Sequence, residues 1–373
     1  MSTIIFTMTH KAFNPPPDPM YVPLHVGRAL SGDLGYMGDD TGDSISKWNP
    51  CFSELTGMYW VWKNFRTDGN VGMCHYRRFL IHEDDRVLTE KDYDLLLGTY
   101  DMVTTKQVVL NNSYYDGYAA NHHIKDLDET EAVIAQYYPA YLDIFRKTVH
   151  GNRTYFGNMI VCNKQLFDAY AEWLFGILLR LRERVNTDGY DAYHKRVFGF
   201  ISEILLLVYV RYHKLHVCEC KVGMPQEKAE TKQVKEALAQ CFRCKDSVRA
   251  GEIFKEALHK RPDILMEASD PFGELMLTLE ILAICEQEKN AGLETIAEKV
   301  PDLEKLLVWV RNVNAIVRES GLRDERRNAS EKKAAPDGAA DGITPQAWKV
   351  AEAMLRSHPH SCRQLPFFPL KQE

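Results

Sequence analysis

His75-Tyr76-Arg77-Arg78 closes the apolar run that starts at Val71. A guanidinium fork matches phosphate oxygens, and two of them side by side can neutralise a diphosphate. The bland alternative is a surface pair held by Glu83, Asp84 and Asp85. A second segment, Gly38-Asp39-Asp40-Thr41-Gly42-Asp43, puts three carboxylates between glycines. Such a loop can hold a divalent cation through hard oxygen ligands, with Asp40 and Asp43 the candidate ligands, or accept sugar hydroxyls. It also reads as a solvated turn, because Asp and Gly dominate turns. Glu203 stands in the apolar stretch Phe198–Leu207. Burying a carboxylate there is costly unless it is paired, and burial would lift its pKa toward that of a useful base. A Glu203–Arg196 ion pair two turns apart is the competing reading.

Two Asp-x-Asp matches are weaker. Asp92-Tyr93-Asp94 precedes a leucine run, and Asp126-Leu127-Asp128 falls at an expected helix start. Carboxylates at a helix start favourably meet the backbone dipole and need no ligand. Cys241 and Cys244 lack a second pair to complete a zinc site, and Cys218 and Cys220 alternate on a strand, so structural thiols are expected. The phosphate-binding Gly-rich loops and the zinc-protease and serine-hydrolase motifs are absent from the sequence.

Alternating elements must position these residues. Thr3–Thr9 is a β-rich run, and Asn49-Pro50 offers a helix start with Asn49 as cap. Leu55, Met58, Tyr59 and Trp62 recur at helical spacing. The expected order continues with strand 71–76, helix 91–97, strand 101–105, a long helix 128–148, strand 158–162, helix 164–185, helix 190–212 and strand 215–220. This predicts an α/β domain with a mostly parallel sheet, whose ligands bind beyond the carboxyl ends of the strands. His10, Lys11, His75 to Arg78, Thr104 to Lys106 and Asn163 are therefore expected at the ligand edge.

Composition divides the 373 residues in two. All 18 tyrosines lie between Tyr21 and Tyr212, and 16 of 22 glycines precede position 226, where Pro225 acts as a breaker. The first part, residues 1–223, suits a loop-bearing catalytic domain. Residues 226–327 read as helical, with Ala250, Phe254, Ala257 and Pro262 spaced as in the second helix of a tetratricopeptide-like hairpin whose partner would be 231–244. Residues 328–373 read as a linker, a short amphipathic helix from Thr344-Pro345, and an apolar tail at 365–370. A formal charge of −6 argues against nucleic-acid binding. No apolar run approaches the ~20 residues of a membrane span. The N-terminus lacks a signal peptide's basic region, and the nine cysteines fit a reducing cytoplasm.

The order GDDTGDSIS, FSELTGMYWVWKN and VGMCHYRRFL resembles a bacterial family, long labelled a domain of unknown function, found in capsular and exopolysaccharide loci and classed as glycosyltransferases. His122, Asp126 and Leu127, then Gly157-Asn158-Met159, Phe167 and Trp173, and Arg196-x-Phe-Gly-Phe-x-x-Glu203 extend the likeness over residues 3–222. Asp40 and Ser44 stand where that pattern has Asn, and Gly57 where it has Ala.

The resemblance implies a single-sheet nucleotide-sugar-binding (GT-A-like) fold and transfer of a hexosyl group from a nucleotide-diphosphate sugar, UDP-linked, to a saccharide or lipid-linked saccharide. His10, Lys11, Asp39, Asp40, Asp43, His75, Tyr76, Arg77 and Arg78 would bind the donor, with the arginines stabilising the departing diphosphate. Asn112, His122, His123 and Asn158 would shape the acceptor side, and Glu203, Asp126 and Asp128 are the candidate bases. Mn²⁺, Mg²⁺ or no metal at all would be compatible with this reading. The expected place is the cytoplasm, at or away from the inner membrane face, with the helical part free to bind a protein partner. An adaptor with a degenerate sugar-nucleotide domain and a sugar-phosphate phosphotransferase are the alternatives.

Overall fold

The computed structural model describes residues 2–224, 229–265, 269–270, 272–325 and 343–357. The chain divides into two compact units, Met1–Pro225 and Gln226–Glu373. Pro225, the expected linker 328–342 and the apolar tail 365–370 lie outside the described residues.

The first unit is built on ten strands: β1 (Thr3–Thr9), β2 (Tyr21–His25), β3 (Met37–Gly38), β4 (Asn70–His75), β5 (Phe79–Ile81), β6 (Met102–Thr105), β7 (Val108–Val109), β8 (Arg153–Thr154), β9 (Ile160–Asn163) and β10 (Val217–Gly223). Eight of them form one sheet in the order β3-β2-β1-β4-β9-β6-β10-β5, and β7 and β8 pair separately. Side chains alternate across the sheet, as strand geometry demands. Phe6, Met8, Val71 and Met73 face the larger core, while Ile5, Cys74, Val103 and Val161 face a smaller one. Covered on both sides, the central strands read as apolar runs.

The sheet is mostly parallel, as expected, with six of its eight strands running the same way and two against them. β9 runs antiparallel to both of its neighbours, β4 and β6, and β5 runs antiparallel to β10. The cause is the Gly157-Asn158 turn, where both residues have positive φ, 96° and 48°. It delivers the chain to the carboxyl edge of β4, so β9 must descend. Gly-Asn is a turn signal, and the strand therefore starts at Ile160 rather than Asn158. Asn163 falls at the opposite edge of the sheet, pairing with Asn70 and capping the helix that follows.

The helices of this unit are α1 (Asn49–Phe52), α2 (Leu55–Asn64), α3 (Glu90–Leu97), α4 (Tyr114–Asn121), α5 (Ile124–Tyr137), α6 (Leu142–Val149), α7 (Lys164–Arg182) and α8 (Val197–His213). The long helix expected over 128–148 is broken between α5 and α6. Pro139 cannot continue α5, because it lacks an amide hydrogen and crowds the turn before it. Asn49 is not a cap either; it is the first residue of α1, and its amide donates to the Ser53 carbonyl at 2.7 Å. Ser53, with φ 51°, then separates α1 from α2. α2 lies close on the sheet through Gly57, where an added Cβ would strike Met8 and Val26. The 190–212 segment is helical only from His194, first as one tight turn and then as α8.

The second unit holds α9 (Ala229–Arg243), α10 (Ser247–Lys260), α11 (Glu274–Asn290), α12 (Ile296–Lys299), α13 (Leu303–Glu325) and α14 (Pro345–Ser357). α9 and α10 pack as a hairpin around Leu238, Phe242, Ala250 and Phe254. α14 packs on α11 and α13 with Ala347 and Ala351 buried, so it shares this unit's core. Among the described residues no helix is long and apolar enough to cross a membrane.

Candidate active site at the carboxyl edge of the sheet

β4 ends at His75, and the tight turn His75–Arg78 folds back on itself through paired backbone bonds. The N-terminus of α2, the Gly157-Asn158 turn and the first two turns of α8 converge on the same edge. They bring together Glu54, His75, Arg78, Arg196 and Glu203. Gly157 is the hub: its amide donates to Glu203 at 2.7 Å, its carbonyl accepts from His75 Nε2, and the Arg78 guanidinium lies against it, 3.4 Å from where a Cβ would stand. Asn158 is buried and fully used. Its amide donates to Glu54 at 2.7 Å and to the Gly199 carbonyl, and its Oδ1 accepts from Ser202.

The electrostatics separate the two carboxylates. Burial opposes the charge on Glu54, yet His75, Arg196 and the Asn158 amide outweigh it and hold that carboxyl below its usual range. Burial and the Glu54 charge prevail at Glu203 over the Gly157 amide, Arg78 and Arg196, and push it up to about 8. Burial lowers His75 against the attraction of Glu54, Arg78 adds to the lowering, and its Nε2 donates to the Gly157 carbonyl. Arg78 feels burial first, then the attraction of Glu203 and Glu54. Two carboxyl groups with pKa values pushed apart are the usual mark of divided acid and base roles.

Several expectations change here. The arginines are not bound by the acidic run: Glu83 is taken by Lys106 and Lys221, and Asp84 by the Arg86 backbone. The Glu203–Arg196 ion pair does not form, since Arg196 donates to the Ser53 hydroxyl at 3.1 Å. Asp39 is fully buried and accepts from the amides of Gly27 and Arg28 and from the Ser46 hydroxyl, which leaves no face for a donor sugar. Asp43 accepts from Tyr59 while its own amide meets Asn64 at the far end of α2, three turns from Glu54. Asp40 faces Arg28 at 3.6 Å. Among the described residues no three His, Cys, Asp or Glu side chains converge as metal ligands, and Asp40 and Asp43 are engaged by Arg28 and Tyr59. Asp92 closes a capping box with Thr89 and pairs with Arg86. Asn158, occupied as described, leaves the acceptor side.

Beside the arginines, Tyr76 packs edge-on against His10 and Phe13, with centroids 5.4 and 5.9 Å away, and Arg77 lies 4.9 Å over the Tyr76 ring. Tyr36 extends this aromatic shelf at 6.0 Å from Phe13. Lys11 is exposed in the turn after β1, where its amide and carbonyl meet the Thr9 hydroxyl. On the other flank, His122 sits 4.5 Å from Phe200, and His123 stacks on Tyr190 at 4.0 Å. Asp126 is buried and accepts from Tyr190 at 2.8 Å, its pKa raised by burial, and exposed Asp128 accepts from Tyr115. Neither carboxylate joins the Glu203 cluster, and Asn112 is exposed in the turn before α4.

Ser53, Glu54, Gly157 and Arg196 were not singled out as functional from sequence. Glu54 looks like an ordinary acidic helix start, and positive φ at Ser53 leaves no mark in residue type. The combination of Gly-Asn with a carboxylate in an apolar helix was the available signal.

The profile of a domain of unknown function (DUF4422) matches residues 4–214. No curated protein matches the chain at a significant level. A solved apo structure of WbbM, described as a bifunctional glycosyltransferase, is similar at 32% identity with a TM-score of 0.57. The match covers 61% of this chain and 46% of that one, so this chain corresponds to less than half of WbbM. The fold of the first unit is thus the GT-A-like α/β type of a glycosyltransferase, followed by an all-helical region. With the profile spanning more than half of its length, the chain belongs to the DUF4422 family.

Proposed function

We propose that residues 1–223 are a glycosyltransferase domain that moves a hexosyl group from a UDP-linked donor to a saccharide acceptor, in capsular or exopolysaccharide synthesis at the inner face of the membrane. The observation that carries this reading is the cluster of Arg78, Glu54 and Glu203 at the carboxyl edge, beside the aromatic shelf of Tyr76, Phe13 and Tyr36 that carries Arg77. The shelf suits a nucleobase, and the arginines suit the diphosphate. Glu203 takes the proton of the acceptor hydroxyl as its oxygen bonds to the anomeric carbon. The bond from that carbon to the diphosphate breaks, and its electron pair leaves with the diphosphate, where the arginines stabilise it. Glu54 stays ionised and holds the turn that presents Glu203. The helical region 226–327 serves protein binding.

A melting-temperature panel of UDP, UDP-glucose and UDP-galactose, with and without Mn²⁺, tests the donor. A ligand specific to the folded state raises the midpoint. Release of UDP from the sugar nucleotide supports transfer, and release of UMP indicates a phosphotransferase. A panel in which no uridine compound shifts the midpoint removes the reading.

A further inference from the structure

Between Val197 and Val210 of α8, every residue is buried except Phe200 and Glu203. They lie three residues apart, so they share one helix face with side chains about 5–6 Å apart at Cβ. Phe200 is a half-buried ring that packs on the core at one side and meets the cleft beside Glu203 one turn away. Its surroundings define what it can bind. His122 lies 4.5 Å from the Phe200 ring, Tyr193 lies 5.1 Å from it, and these two rings are within 11° of parallel. The Arg196 guanidinium sits 5.2 Å from the Phe200 centroid. His194 fixes the turn that carries Tyr193, through Asp191 and the Asn121 carbonyl.

We propose that Phe200, walled by His122 and Tyr193, is the platform on which the saccharide acceptor stacks, and that it sets the acceptor hydroxyl beside Glu203. A pyranose has one face of C–H bonds and a rim of hydroxyls. It therefore asks for an aromatic plane with polar groups at its margin, the pattern of a small-molecule site. Here the plane is Phe200, with the His122 imidazole and the Tyr193 phenol beside it and the Arg196 guanidinium over one face. The turn carrying His75 and Arg78 meets Glu203 through Gly157, so a sugar on Phe200 would reach the proposed donor site beside that carboxylate. This inference rests on the donor reading above and adds the acceptor side to it.

The test uses the full chain, with methyl glycosides of glucose, galactose, mannose and rhamnose as acceptor probes, with and without UDP. Binding is read by saturation-transfer NMR and by shifts of the His122 ring signals, assigned with His122→Gln. At least one glycoside should bind the wild type and move the His122 signals. Phe200→Leu, which keeps apolar volume but loses the ring plane, should weaken that binding at least tenfold, while Phe200→Trp should retain it. UDP affinity should stay unchanged in both variants, which also certifies their fold. Equal glycoside affinity in wild type and Phe200→Leu would overturn the inference, as would a wild type that binds none of the four. If glycosides bind as expected but UDP never does, the platform stands and the donor reading falls.

Discussion

Replacing Glu203 with Gln should make the protein more stable at neutral pH, and the size follows from the site. An ordinary glutamate titrates near 4.5, and Glu203 is pushed up to about 8, by burial above all. Between those values the folded chain holds one proton more than the unfolded chain. Its stability therefore falls as pH rises, by ~1.4 kcal/mol per unit, until the folded pKa is passed. At pH 7 the accumulated cost is about 3 kcal/mol, and at pH 4.5 it has almost vanished. Gln carries no such cost and keeps an oxygen for the Gly157 amide, though its NH₂ group beside Arg78 returns part of the gain. A net gain of about 1–3 kcal/mol at pH 7.5 to 8 is expected, which is several degrees in the melting temperature of a unit this size.

The assay is a pair of melts for wild type and Glu203→Gln, at pH 5 and pH 8. The variant should match the wild type at pH 5 and exceed it at pH 8. A variant that melts lower by the same amount at both values would refute the reasoning. It would mean that Glu203 is ionised throughout as the partner of a buried arginine, whose loss costs about 3–5 kcal/mol. Transfer should nevertheless fall by about 10²–10⁴-fold in the same variant, because Gln cannot take a proton. With only about a tenth of Glu203 ionised at pH 7, wild-type transfer should climb with pH and level off above about 8.

Other consequences are simpler to state. Arg78→Ala should weaken UDP binding by roughly 1.5–3 kcal/mol in calorimetry, and unchanged affinity would remove Arg78 from the diphosphate site. Asp39→Ala strips three buried donors of their acceptor and should cost on the order of 3 kcal/mol of stability by denaturant titration, whereas exposed Asp43→Ala should cost under about 1 kcal/mol. In the helical unit, burial raises Glu280 to about 7 while Asn314 donates to it at 2.8 Å. Its stability contribution likewise declines from about pH 4.5 to about pH 7, so Glu280→Gln should flatten the pH dependence of that unit's melt.

The sequence carried the elements better than the site. Apolar runs and helical spacing located β1, β4, α2 and α7 closely, because each buries a face whose period is visible in residue type. Pro139 was equally visible, and the break between α5 and α6 could have been read from it. The direction of β9 could not be read from its own residues. It follows from the Gly157-Asn158 turn, whose geometry depends on partners far away in the chain. Asp39 failed as a ligand candidate for a related reason. Its type and neighbours suggest an exposed turn, but Gly27, Arg28 and Ser46 close over it, and only the fold brings them there.

Glu203 was legible because a carboxylate in an apolar helix breaks the pattern around it. Glu54 was not, because an acidic residue at a helix start satisfies every local rule. The pair takes its meaning from contacts between segments a hundred residues apart. Non-glycine residues held at positive φ, such as Ser53 and Asn158, cost of order 1–3 kcal/mol each and persist only where the surroundings over-determine them. Both flank Glu54, and Asn158 bonds it directly. Backbone strain, a lowered carboxyl, a raised carboxyl and arginines without acidic-run partners therefore meet at one edge of one sheet. The strain and the raised carboxyl both cost stability, and perturbed carboxyls gathered in this way are the pattern of a functional site.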